Sequence, residues 1–263
     1  MYEIILRGNK SFIGKNYLLR QKKKVKLRIF SKNKRTKKNS VILHLVANTS
    51  VIDSFKNPAK TINNNLKLLI ETLEYCVKNN CKLIFFSTVY QKEKNKFTSP
   101  YSYSKFLSEE ICKNYSKTYN LDICVLRLSN IFGIFQKNKL IPDLIKKLLK
   151  GDTINLINYN LNRDYLYISD LLSATDKIVN SFPNGFSLFT VSQNKNVKII
   201  DVCKKLKAIL NSKSKIVKKN NKNHQSSFKR KKIDSSKFRK KFNWKPKFDL
   251  DMGLKNLLNY EKK

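Results

Sequence analysis

Along the first half of this chain, apolar bursts of strand length alternate with stretches of helical periodicity, and that alternation leaves few folds open. Ile4–Leu6 reads as a first strand, Phe12–Leu19 as a helix and Val25–Phe30 as a second strand. Val41–Val46 is a continuous apolar run, as expected of a strand buried on both faces. Ile62–Val77 has helical periodicity, Leu83–Phe86 is strand-like, Tyr101–Tyr119 is a long helix and Ile123–Leu128 is another strand. The order predicts an α/β fold, a doubly wound parallel sheet with helices on both faces, which binds ligands at the carboxyl ends of its strands.

After Gly133 the pattern loosens. Pro142–Leu149 is a helix stopped by Gly151, a strand-like stretch runs to Ile168 and a helix continues through Val179. Ile199–Leu210 is a helix, Lys213–Lys232 reads as a polar, basic loop, and Leu250–Tyr260 as a short closing helix. These signals predict two regions, residues 1–133 and a smaller lobe 134–263, with 153–180 returning in part to the first.

The 263 residues suffice for a main domain with a smaller lobe, and a hydrophobic share of 41% is ordinary for a globular protein. The net charge of +38 is not ordinary. It reads as compositional drift toward lysine with a solvated surface; a polyanion partner stays open on charge alone. The dense segments Gln21–Lys38 and Lys213–Lys241 carry no nucleic-acid-binding motif, so a nucleic-acid partner is not the expectation. Five cysteines without a CxxC pair suggest buried reduced thiols and a cytoplasmic location. Two histidines leave no histidine-rich metal site, so no metal is expected. No apolar run is long enough to span a bilayer.

Two segments carry chemistry. Tyr101 and Lys105 stand four apart at the start of a helix, on one face. An ammonium beside a phenol favours the phenolate, and such a tyrosine can exchange a proton with a substrate hydroxyl. Gly8-Asn9-Lys10-Ser11-Phe12-Ile13-Gly14 lies between the first strand and the first helix, where a dinucleotide pyrophosphate rests on a helix N-terminus. An exposed helix start and an ordinary βα turn are the alternatives these segments leave open.

Taken together, the motifs resemble the extended short-chain dehydrogenase/reductase family, in its NAD-dependent epimerase/dehydratase branch of nucleotide-sugar enzymes. Gly8, Ser11, Phe12, Ile13 and Gly14 resemble its G-x-x-G-F-I-G opening, and His44-Leu45-Val46-Ala47 its H-L-A-A. Pro58 and Asn65 match a proline and an asparagine of the following helix, and Leu83–Tyr90 a strand ending in Ser-Ser/Thr and Val-Tyr. Pro100–Lys105 resembles P-Y-G-x-S-K, Leu126–Gly133 L-R-x-x-N-x-Y-G, and Arg163–Asp170 R-D-F-x-Y-V-x-D. Asp234–Lys237 and Phe242–Pro246 resemble the closing D-x-S-K and L-G-W-x-P.

The resemblance implies a Rossmann-type domain, with the 134–263 lobe binding substrate. Tyr101 would be the acid/base and Lys105 its modulator, also binding the nicotinamide ribose. Thr88, or Ser87 next to it, would hydrogen-bond the reacting oxygen. Gly8, Ser11, Phe12, Ile13, Gly14 and Asn65 would hold NAD or NADP. Asn130 would contact the sugar nucleotide, and Arg163, with a basic residue such as Arg230 or His224, would grip its diphosphate. His44, Asp164, Tyr165, Asp170, Lys237 and Trp244 read as structural.

Three departures from the pattern matter. Ser11 replaces a glycine, and its Cβ is expected where the backbone meets the pyrophosphate. The second strand ends Ile29-Phe30-Ser31-Lys32 without an acid, and Arg28, Lys32, Lys34 and Arg35 make NADP plausible by charge. Only Ser31–Ser40 separates the second strand from Val41, so the usual third strand is missing. The implied function is a nucleotide-sugar epimerase or reductase of surface-polysaccharide synthesis, dimeric through the helix 101–119 as is usual in the family. Thr88 is followed by Val89-Tyr90 instead of an Asp-Glu pair, which argues against dehydration. The alternative is a catalytically weakened member that binds nucleotide or polyanion.

Overall fold

The computed structural model describes residues 3–21, 26–93, 96–219 and 233–261. In chain order the elements are β1 (Ile4–Arg7), α1 (Phe12–Arg20), β2 (Leu27–Ile29), β3 (Val41–His44), α2 (Val51–Lys56), α3 (Pro58–Asn79) and β4 (Lys82–Thr88). An antiparallel pair, β5 (Lys92–Glu93) and β6 (Lys96–Phe97), precedes α4 (Pro100–Tyr119), β7 (Ile123–Leu128), β8 (Asn130–Phe132) and α5 (Leu140–Lys150). Then come β9 (Ile154–Ile157), β10 (Asn162–Tyr167), α6 (Ile168–Asn180), β11 (Phe186–Val191), β12 (Asn196–Lys198) and α7 (Ile199–Ile209). The last three are β13 (Ile216–Lys219), α8 (Ser236–Phe242) and α9 (Leu250–Glu261). The chain divides into two compact units, one of Met1–Leu128, Leu172–Val191 and Ser236–Trp244, the other of Ser129–Leu171, Ser192–Ser235 and Lys245–Lys263.

The first unit is built on a six-stranded sheet in the order β11-β7-β4-β3-β1-β2, every pair parallel. The chain leaves β1 toward β2 on one side and returns to β3 on the other, which makes the carboxyl ends of β1 and β3 the switch point where ligands bind. One face buries Ile5, Ile42, Leu83, Phe85, Ile123 and Val125 against Leu69, Leu73 and Cys76 of α3 and Cys112 of α4. Each such side chain contributes about 1.5–3 kcal/mol. Short polar caps set the helix starts: Ser11, Ser50 and Ser99 accept from the backbone of the first turn, and Pro58 and Pro100 occupy first positions where no amide is needed. Pro58 is also why α3 starts four residues before the periodicity at Ile62 suggests.

β2 is an edge, and among the described residues no strand pairs with its outer side. The segment that stands in for the missing strand is pinned by side chains. Tyr75 Oη donates to the Lys34 carbonyl at 2.6 Å, Arg28 Nη1 to the Arg35 carbonyl at 3.1 Å, and the Thr36 amide to Asn79 Oδ1 at 3.3 Å. Buried Glu3 accepts from Thr36 Oγ1 at 2.5 Å and from Ser40 Oγ at 3.3 Å.

The second unit has a three-stranded sheet, β12-β10-β8, and the parallel pair β13-β9. Its aromatic core joins Phe132, Tyr165, Tyr167 and Phe248. A Cβ on Gly253 of α9 would lie 2.6 Å from Phe132 Cζ, so the helix approaches the ring only because this residue has no side chain. Gly151 closes α5 at φ +74°, the stop that its position predicts. The loop expected over Lys213–Lys232 is corrected in part: Ile216–Lys219 forms β13, because β9 offers it a partner that the lysine-rich composition hides. Residues 220–232 lie outside the described residues.

Candidate active site

At the carboxyl end of β1 the chain turns through Gly8 at φ +109°, and the Ser11 amide donates back to the Gly8 carbonyl at 3.0 Å. A Cβ on Gly8 would stand 2.7 Å from the Leu45 carbonyl carbon, and one on Gly14 less than 3.0 Å from the Gly8 oxygen. Both glycines are therefore demanded by the packing of the turn itself. Ser11 is the N-cap of α1: its backbone is extended and its Oγ accepts the Gly14 amide at 3.1 Å. Beyond the Cβ expected from the sequence, the serine therefore also occupies one of the helix's free amides. The amides of Phe12 and Ile13, the first two of α1, have no partner within the helix. They are the groups such a terminus offers an anion.

Serine capping also places the acid/base candidate. Ser99 Oγ accepts the Ser102 amide at 3.1 Å and Ser102 Oγ accepts the Ser99 amide at 2.8 Å, a reciprocal cap that starts α4 just before Pro100 and Tyr101. Tyr101 is half-buried, and Lys105 one turn on is buried. The Lys105 ammonium donates to the Phe86 carbonyl at 2.8 Å and sits 4.5 Å from the centre of the Phe85 ring. Burial pushes the Tyr101 phenol up to about 12 and the Lys105 ammonium down to about 8. This corrects the expectation of a phenolate favoured by lysine. Burial is the cause of the phenol's rise, and the Lys105 ammonium donates to a carbonyl of β4.

Of the two hydroxyls at the end of β4, Ser87 is buried and accepts from Gln91 Nε2 at 3.2 Å. The same amide donates to Glu109 Oε1 at 2.6 Å, and Glu109 is clamped by Arg127 through Nε at 3.0 and 3.1 Å and through Nη2 at 2.6 Å. Thr88 is half-buried; its Oγ1 accepts the Tyr90 amide at 3.2 Å, which leaves its hydroxyl proton to offer. Sequence reasoning missed the Ser87–Gln91–Glu109–Arg127 network. Its signal was present: Glu109 follows Lys105 by four on one helix face, at a depth where an acid needs a partner.

Asn65 ties the exit of β3 to α4. Its Oδ1 accepts the Asn48 amide at 2.7 Å, and its Nδ2 donates to the Asn48 carbonyl at 3.2 Å and to Ser104 Oγ at 2.9 Å. His44 is packed, as expected: it is buried, its Nδ1 lies 2.8 Å from Thr72 Oγ1, and burial holds its imidazole well below the usual range.

The expected substrate residues belong to the second unit. Asn130 Nδ2 donates to the Asp164 carbonyl at 3.0 Å, joining β8 to β10, and Arg163 is half-buried on β10. The buried carboxylate of Asp164 accepts the amides of Gln193 and Lys195, and that of Asp170 those of Lys247 and Phe248, so both acids hold turns of the chain. Arg230 and His224 lie outside the described residues. Among the described residues there is no group of three or more His, Cys, Asp or Glu suited to a metal, and no helix long and apolar enough to cross a membrane.

The chain is 30% identical to dTDP-D-glucose 4,6-dehydratase of Dictyostelium discoideum over 194 residues, which cover 64% of this chain and 44% of that protein, less than half its length. It is 27% identical to UDP-glucuronate 4-epimerase of Thermodesulfobacterium geofontis, over 85% of this chain and 72% of that one. The solved structure of RMD from Pseudomonas aeruginosa complexed with NADPH superposes with a TM-score of 0.86 at 18% identity, covering 98% of each chain, a likeness of fold. The profile of the NAD dependent epimerase/dehydratase family matches residues 4–188, and this chain belongs to that family.

Proposed function

We propose that this chain is a nicotinamide-dependent epimerase or reductase of nucleotide-activated sugars. The observation that carries the reading is the joint placement, in one unit, of Tyr101 and Lys105 at the start of α4, Thr88 at the end of β4 and the glycine turn at the end of β1. That unit is the dinucleotide-binding domain of the proposal, and the second unit, with Asn130 and Arg163, the substrate lobe.

The residues fit a dinucleotide. Gly8 and Gly14 let the turn close tightly on its own backbone and that of Leu45, the first two amides of α1 are the groups such a terminus offers an anion, and buried Arg7 Nη1 has no hydrogen-bond partner among the described residues. When bound, the nicotinamide supplies or accepts the hydride. Tyr101 handles the proton. As a neutral phenol it donates to the oxygen of a keto sugar during reduction; in the opposite direction its phenolate takes the proton of the sugar hydroxyl. Lys105 lies one turn away as the residue that would bind the nicotinamide ribose, and Thr88 orients the reacting oxygen through its hydroxyl proton. The relatives' names supply the nucleotide-sugar class. Val89-Tyr90 after Thr88, in place of an acid pair, favours epimerase or reductase over dehydratase. The proposal extends to supply of surface polysaccharide, to a cytoplasmic location, for which five buried free thiols speak, and to a dimer through α4.

Tyr101→Phe tests the assignment with UDP-glucose and dTDP-glucose as probes and reduced cofactor fluorescence as the control. Loss of sugar turnover of at least about a hundredfold with unchanged cofactor binding is expected, the usual scale for one acid/base group. Turnover left intact would remove Tyr101 from the mechanism.

A further inference from the structure

The carboxyl end of β2 lacks the acid that would receive the adenosine ribose, yet a carboxylate reaches that end of the sheet from another element. Glu71, in the middle of α3, accepts from Arg7 Nη2 through Oε2 at 2.5 Å and pairs with Lys32 Nζ through Oε1 at 2.8 Å. Arg7 is the last residue of β1, and Lys32 follows β2 by three residues. The three charges therefore cross the carboxyl ends of the two strands over which the adenosine half of a dinucleotide lies in such sheets. The Arg7 guanidinium is stacked 4.6 Å from the centre of the Phe30 ring, which fixes the arginine and, through it, the acid. Side-chain exposure rises outward, from 8% at Arg7 through 23% at Glu71 to 58% at Lys32.

We propose that Glu71 takes the place of the missing strand-end acid and makes this chain prefer the dinucleotide without a 2′-phosphate. The inference rests on the dinucleotide reading above and deepens it. Read from the sequence, Lys32 and Arg28 look like a phosphate pocket. In the structure Lys32 is paired with Glu71, and Arg28 donates to the Arg35 carbonyl and to Tyr75 Oη. A phosphate approaching Lys32 meets the Glu71 carboxylate beside it, a like-charge contact in a partly desolvated place. Lys32 and Arg7 hold that carboxylate below its ordinary range, so it stays charged at neutral pH. For a ribose hydroxyl the same carboxylate, partly exposed where Arg7 is buried, is an acceptor.

The experiment is a fluorescence titration of the full chain with NADH and with NADPH, in wild type, Glu71→Gln and Lys32→Gln. The wild type is expected to bind NADH more tightly. Glu71→Gln should swing the NADPH:NADH affinity ratio toward NADPH by about tenfold or more, since it removes the repelling charge and frees Lys32. Lys32→Gln, at an exposed position that folding tolerates, should weaken NADPH alone. A wild type that prefers NADPH, or a ratio unmoved by both substitutions, overturns the role of Glu71 and leaves the dinucleotide site standing. Failure of both ligands to bind the wild type overturns the dinucleotide reading, and this inference with it.

Discussion

The turn after β1 and the edge beyond β2 belong to one unit and are built in opposite ways. The turn is made by backbone. Gly8 and Gly14 are there because no other residue leaves room, and the amides of Phe12 and Ile13 are presented by helix geometry alone. The edge is made by side chains. Tyr75, Arg28, Asn79 and Glu3 stitch residues 34–40 to the sheet and α3, and Glu71 bridges Arg7 and Lys32 across strand ends. A ligand site can thus keep its backbone half under strict steric rule while its other half is rebuilt from whatever side chains reach it.

Breaking the backbone half should have the largest effect. Gly14→Ala forces a Cβ into the Gly8 carbonyl, where no flexible side chain can yield, and should cost about 3 kcal/mol in denaturant unfolding together with cofactor binding. A cost under about 1 kcal/mol would show that the turn can move. The side-chain half should give way more gently. Tyr75→Phe, which removes the bond to the Lys34 carbonyl, should cost about 1 kcal/mol and speed amide exchange in residues 34–40, while the Gly8 turn stays protected. Uniform loss of protection across both regions would erase the contrast. Ser11→Gly belongs to both halves, a side chain occupying a backbone donor. It should cost only a few tenths of a kcal/mol as a cap, and by freeing the Gly14 amide it should tighten NADH binding. Weaker binding would mean that the serine hydroxyl itself serves the ligand.

The buried Lys105 offers a test in pH. Its folded value of about 8 lies below the ordinary 10.5, so the unfolded chain binds more protons between those limits. Stability contributed at this site therefore rises with pH through that window. The difference in Tm between Lys105→Met and wild type should fall steadily from pH 8 to pH 10. A flat difference would mean that the ammonium is not desolvated.

The contrast also explains what was legible in the sequence. Glycine positions, serine caps, strand-length apolar runs and the Tyr101/Lys105 spacing are local signals, and they located the sheet, α4 and the β1 turn. The charge bridge was not legible: Glu71 is 64 residues from Arg7, and nothing local at Glu71 announces a partner. The phenol's upward shift was hidden for the same reason, since it follows from burial, which sequence spacing does not place. Short elements such as α2, β8 and β12 are too brief for periodicity to show, and the two apolar residues of β13 are lost among lysines.

The most direct measurement is titration of the purified wild-type chain with NADH, followed by nicotinamide fluorescence. The account predicts saturable binding through the β1 turn, despite the capped Gly14 amide and the shortened sheet edge. No binding of NADH or NADPH at millimolar concentration would contradict it, and would leave the chain as a family member that keeps the fold without the cofactor.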